Sequence, residues 1–97
     1  MQRITRKFLQ ARIDTLNQMT GNPLEPYRRD ENGKAVSNSG NYHLDGAYGG
    51  LALYQMVGES GGCSDVFRCG HVSARQLSDL IGAYMAGIYS VQKETIR

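Results

Sequence analysis

Leu51-Ala52-Leu53-Tyr54-Gln55-Met56-Val57-Gly58-Glu59-Ser60-Gly61-Gly62-Cys63-Ser64-Asp65-Val66-Phe67-Arg68 is the stretch that decides the fold. Leu51 to Val57 is apolar at nearly every position, the composition of a strand buried on both faces, although periodicity alone also admits a short helix. Gly58 to Gly62 is a turn, and Ser64 to Arg68 reads as the partner strand, with Val66 directed inward. Upstream, Tyr27 to Val36 reads as a second hairpin. Its Asn32-Gly33 pair best tolerates the two positive φ values of a type I′ turn, and its polar strands predict an exposed, twisted ribbon. Pro23 and Pro26 keep the approach to it extended. Ser37 to Gly50 is rich in Gly, Asn and Tyr, which implies tight turns or close backbone approach.

A helix is expected on either side of this β region. Over about 5–20, Leu9, Ile13 and Leu16 fall on one face, widened by Phe8 and Met19, and Gly21 followed by Pro23 ends the run. Over about 73–87, Ser73-Ala74-Arg75-Gln76 is a capping box, Val72 and Leu77 form a hydrophobic staple, and Leu77, Leu80, Ile81 and Tyr84 recur at helical spacing. Gly87 stands as the C′ residue with Ile88 as its apolar clamp, and the tail 88–97 frays from or extends the helix. Gly82, within the helix, points to a close helix contact.

The reading is therefore an α+β domain, helix–β-hairpin–β-hairpin–helix, with both helices packed on a small twisted antiparallel sheet. The chain has 97 residues, room for a single domain over 1–97 with its β region at about 26–70. A domain of this size buries only about two-thirds of the surface its unfolded chain exposes. That marginal size favours a symmetric homo-oligomer, with Ile88, Tyr89, Val91 and Ile96 as the apolar contact.

Composition narrows function more by exclusion than by assertion. A net charge of +2 is small for a duplex binder. A basic face of Arg3, Arg6, Lys7 and Arg12 at the start of the first helix nevertheless keeps a small nucleic-acid-binding or regulatory role as the alternative. No apolar run approaches the ~18–20 residues that cross a bilayer, and no apolar signal region follows the basic start. A cytoplasmic location is expected, with Cys63 and Cys69 as thiols.

Five residues separate the two cysteines, and His71 brings no second ligand pair, so no metal site is expected. No cofactor is implied. Asp45 near His43 lacks a nucleophile elbow, paired carboxylates are missing, and Gly46-Ala47-Tyr48-Gly49-Gly50 lacks the Lys of a phosphate loop. No catalytic residue is assigned, and the protein is expected not to be an enzyme.

One constellation remains. Tyr27, Tyr42, Tyr48 and Tyr54, with His43, lie in or beside glycine-bounded segments, and Arg28, Asn41, Asp45 and Arg68 stand close by. Tyrosine offers an apolar ring and a hydroxyl at low entropic cost, which suits recognition. With Arg28 and Arg68 as anion contacts, all of these except Tyr54 form the candidate binding site, eight residues in number, for a nucleotide-like ligand or a protein. The competing assignment is that the tyrosines, Tyr54 and Tyr84 above all, plug a core with no Trp and only two Phe.

Leu16-Asn17, Thr20-Gly21-Asn22-Pro23, Pro26-Tyr27, Gly40-Asn41-Tyr42-His43-Leu44-Asp45-Gly46-Ala47-Tyr48-Gly49-Gly50, Gly61-Gly62, Gly70-His71-Val72, Leu77 and Gly87-Ile88 together form a further pattern. Across residues 9–88 it resembles a group of short, uncharacterised proteins of tailed bacteriophages and prophages, with Asn-Tyr-His-Leu and Ala-Tyr-Gly-Gly as its distinctive parts. The resemblance implies a setting, the cytoplasm of an infected bacterium, and no mechanism. In that setting the expectation is a non-enzymatic accessory binding protein that counters host defence. It would do so by sequestering a small nucleotide-like signalling molecule or by inhibiting a host protein.

Overall fold

The computed structural model describes residues 3–95, so Ile96, named above as a dimer contact, lies outside the described residues. Helix α1 (Arg6–Thr20) starts at Thr5, whose hydroxyl accepts from the Phe8 N–H at 3.1 Å. It stops at Gly21, where φ is +71° and the Asn22 N–H reaches back to the Asn17 carbonyl at 2.8 Å. Strands β1 (Tyr27–Arg29) and β2 (Ala35–Ser37) form an antiparallel ribbon. Strands β3 (Tyr42–Ala47), β4 (Gly50–Val57) and β5 (Gly62–Asp65) form an antiparallel sheet in the order β3-β4-β5. Helix α2 (Ala74–Thr95) closes the domain. The fold is α+β, with a helix, the strands and a helix in order.

Four details differ from expectation. The strands make two sheets, one of two strands and one of three, where one was expected. The ribbon turn is not type I′: residues 30–34 form a longer loop in which Gly33, and not Asn32, takes a positive φ of 78°. Its organiser is Asp30, whose carboxylate accepts from the Asn32 and Lys34 N–H groups, each at 2.9 Å. The segment 42–47, assigned only to turns and close approach, is a strand, and β5 begins at Gly62, ahead of the expected Ser64. Finally, α2 does not stop at Gly87. Its later turns are held to α1 by the Gln92 amide, which donates to the Met19 carbonyl at 2.7 Å.

Both helices cover one face of the three-stranded sheet. Strand residues alternate faces, and cross-strand partners share one, so Tyr42, Leu44, Leu51 and Leu53 point together. They meet Leu9, Ile13 and Leu16 of α1 and Leu77 and Ile81 of α2 in a single cluster, with Leu44 partly buried at its margin. Tyr84 of α2 completes it. Its ring packs edge-on against Tyr42 and Phe67, with centroids 5.9 and 5.6 Å apart. The opposite face of the sheet carries His43, Asp45, Ala52 and Tyr54.

Neither helical glycine of α2 is required by packing. A Cβ at Gly82 would meet the Arg12 guanidinium at an ordinary 3.6 Å, and one at Gly87 would meet nothing within 4 Å. Helix-interior glycine costs roughly 0.5–1 kcal/mol relative to alanine. Gly82→Ala and Gly87→Ala are each expected to raise the melting temperature by several degrees, read by circular dichroism.

Candidate functional site

The face of the sheet turned away from the helices is built around one missing Cβ. At Gly50 a Cβ would lie 3.0 Å from the His71 carbonyl carbon and the Val72 oxygen, so close that this backbone would have to move away by a few tenths of an ångström. Its absence lets the 71–72 segment lie against β4, where Leu51 and Val72 exchange two backbone hydrogen bonds of 2.8 Å. His71 is thereby set over the sheet, and its Nε2 meets the Asp45 carboxylate at 2.7 Å.

Three further rings gather there. Tyr48 and Tyr54 each meet His71 edge-on, at centroid distances of 5.8 and 6.1 Å, and His43 lies 6.2 Å from Tyr54. Tyr48-Gly49 is the two-residue turn joining β3 to β4, with φ values of 54° and 76°, the signature of type I′. Tyr48 is 99% exposed. A non-glycine residue in the left-handed region costs about 1–2 kcal/mol, so this ring is held in solvent at an energetic loss.

Electrostatics follow from burial and from the carboxylates. Partial burial, then Asp45 and Asp65, raise the Tyr54 hydroxyl pKa. Burial lowers the His43 pKa below 6.5, and Asp45 opposes that only partly. His43 Nδ1 is buried with no hydrogen-bond partner.

The eight predicted site residues do not converge as a set. His43, Asp45 and Tyr48 join the cluster around His71. Tyr42 turns the other way: it is 5% exposed, and its hydroxyl shares a 2.8 Å hydrogen bond with that of Tyr84. Its pKa is raised, first by burial and then by Tyr84. Asn41 is buried and donates to the Pro23 carbonyl at 2.8 Å, leaving its Oδ1 buried and unpartnered. Tyr27 lies exposed on the ribbon. Arg28 fastens the ribbon, bonding Asn38 Oδ1 at 2.6 Å and pairing with Glu59 at 3.2 Å. Arg68 is exposed in the 65–70 loop with φ 55°, its N–H held by Asp65.

His71 and Tyr54 belong to the cluster and were not among the predicted residues. Gly50 was the available sign of close approach, but nothing local says what approaches it.

A carboxylate that orients an imidazole is part of a proton-transfer device. Among the described residues, however, no serine, threonine or cysteine is hydrogen-bonded to either histidine. The Cys69 thiol turns to the Gly70 carbonyl, and Cys63 and Cys69 are both free and exposed. Among the described residues no group of three His, Cys, Asp or Glu side chains is placed to hold a metal ion. No described helix is long and apolar enough to cross a membrane.

Among the described residues two cavities stand out, the second of them sharing His43 with this cluster. One, of about 500 Å³, is an apolar cleft along α2 lined by Ala83, Tyr84, Gly87, Ile88, Val91 and Gln92. The other, of about 510 Å³, lies between α1, β3 and residues 24–26, and its charged lining residues are the acidic Asp14 and Glu25. The basic residues of α1 diverge: Arg6 lies against Gly46 of β3, and Arg12 lies against Phe8 and Gly82. No family model, curated protein or solved structure matches the chain.

An imidazole with a lowered folded-state pKa binds fewer protons folded than unfolded. Its contribution is complete above pH ~6.5 and is lost as pH falls through that value. The melting temperature is therefore expected to drop between about pH 7 and pH 5, with His43→Gln removing part of the drop in a pH series of thermal melts.

Proposed function

We propose that this chain is a non-enzymatic bacteriophage accessory protein that grips a host protein and so counters host defence in the bacterial cytoplasm. The phage setting rests on the Asn-Tyr-His-Leu and Ala-Tyr-Gly-Gly pattern. The binding role rests on Tyr48. A hairpin tip with no contact to make would carry Asn-Gly, the least strained type I′ pair, whereas here a strained and fully exposed tyrosine sits edge-on to His71.

A protein target fits the site better than a captured nucleotide. The cavity beside β3 is lined by Asp14 and Glu25 and by no lysine or arginine, so a phosphate there would face like charge. The predicted anion contact Arg28 is already engaged by Asn38 and Glu59. A nucleic-acid role is supported less, because Arg6 and Arg12 turn against different parts of the fold.

Tyr48→Asn separates stability from recognition. It is expected to raise stability by about 0.5–1 kcal/mol through relief of the left-handed strain. It is also expected to abolish co-purification of the host protein that the unaltered chain retains in infected cells, read by native mass spectrometry. Recovery of the same protein by both forms would remove Tyr48 from the interface. A nucleotide that raises the melting temperature of the purified chain would replace the protein-target reading with ligand capture.

A further inference from the structure

The outer edge of β3 is a site in its own right. β3 is an end strand, paired through its inner edge to β4. Tyr42 directs both backbone groups outward, where the Asn17 amide takes them: its Nδ2 donates to the Tyr42 carbonyl at 2.9 Å, and its Oδ1 accepts from the Tyr42 N–H at 2.8 Å. Backbone groups of an antiparallel strand alternate between edges. Leu44 and Gly46 therefore direct their N–H and C=O groups the same way, and no strand pairs with this edge among the described residues.

The edge opens into the cavity of about 510 Å³. It is lined by Tyr42, His43 and Leu44 of β3, by Gln10 and Asp14 of α1, and by Leu24, Glu25 and Pro26. Its volume lies in the ~300–1,000 Å³ range of ligand pockets. Gln10 Nε2 donates to Asp14 Oδ1 at 3.1 Å and holds that carboxylate in place. At the far end of the strand the sign reverses, because the Arg6 guanidinium lies against Gly46.

We propose that this groove receives an extended segment of a partner protein as an added strand on β3, with a lysine or arginine side chain between Asp14 and Glu25. The backbone groups of Leu44 and Gly46 supply main-chain hydrogen bonds, which give affinity without sequence preference. The carboxylates supply the preference, and Asn17 marks where the added strand ends, since the Tyr42 pair is already occupied. Tyr48 does not line the groove, although His43 belongs both to it and to the cluster around His71, so loss of the Tyr48 ring tests the two interfaces separately.

The probe is an array of β-prone hexapeptides of alternating Thr and Val, carrying Lys, Arg, Gln or Glu at one central position. Each is titrated into the isotopically labelled full chain and followed by amide NMR. The expected result is movement and slowed exchange of the Leu44 and Gly46 amides, with Lys and Arg peptides bound at least about tenfold tighter than Glu peptides. Asp14→Asn combined with Glu25→Gln should erase that preference while the melting curve shows a folded chain. Tyr48→Asn should leave the titration unchanged. The proposal is overturned if no peptide of the array moves the two amides, or if the preference for cations survives loss of both carboxylates.

Discussion

The Asn17 side chain has no exposed surface, and its amide bonds both backbone groups of Tyr42, so helix α1 stands in for a neighbouring strand at that one residue. Much of the molecule follows from this pair. A strand shifted by one residue turns every side chain to the other face. Fixing Tyr42 therefore fixes the whole of β3: Tyr42 and Leu44 toward the helices, His43 and Asp45 away from them. With β3 in that phase, the Tyr42 ring reaches Tyr84 and ties the sheet to α2, while Asp45 meets His71 on the far side. A buried amide left unpaired costs about 1–3 kcal/mol, so the arrangement selects one register over its neighbours.

The two faces of the sheet are thus put to different uses. The helix side is aliphatic, with two tyrosine hydroxyls satisfying each other in an otherwise apolar contact. The other side has no helix over it and is covered by its own rings, His43, Tyr54, His71 and Tyr48, with Asp45 and Asp65 adding negative charge near Tyr54. The glycines fall where that surface needs them: Gly50 yields space to the 71–72 segment, and Gly49 completes the turn that displays Tyr48.

Local chemistry made the helices legible. Gly21 and Ser73 cap them as residues of those types do, and the apolar spacing of Leu9, Ile13, Leu16, Leu77 and Ile81 marks their buried sides, whereas the cap at Thr5 emerged only in the structure. Strand β4 was legible from its unbroken apolar run. Strand β3 was not, because Tyr42-His43-Leu44-Asp45-Gly46-Ala47 alternates between half-polar residues and is interrupted by glycine. The turn beside it was missed because tyrosine is a poor advertisement for positive φ, and the Asn32-Gly33 pair drew the type I′ assignment instead. In the candidate site, His43, Asp45 and Tyr48 could be named from composition near glycine. Their union with His71 and Tyr54 depends on a contact between β4 and the segment before α2 that no local pattern encodes. Arg28 likewise looked available until the structure brought Glu59 to it.

The pairing of the two helices has a consequence for synthesis. Leu9, Ile13 and Leu16 belong to the helix that precedes the strands, and their partners Leu77 and Ile81 to the helix that follows them. The link from Gln92 to Met19 spans the same interval. Contacts this distant in sequence form only after most of the chain exists, and they slow folding relative to local ones. On the ribosome, α1 can meet β3 and β4 earlier, but the side of its stripe that faces Leu77 and Ile81 stays open until α2 has been translated. A nascent chain stalled before Leu77 therefore carries a first helix that the sheet covers on one side only, and it presents the remaining aliphatic surface to the chaperones of its cell.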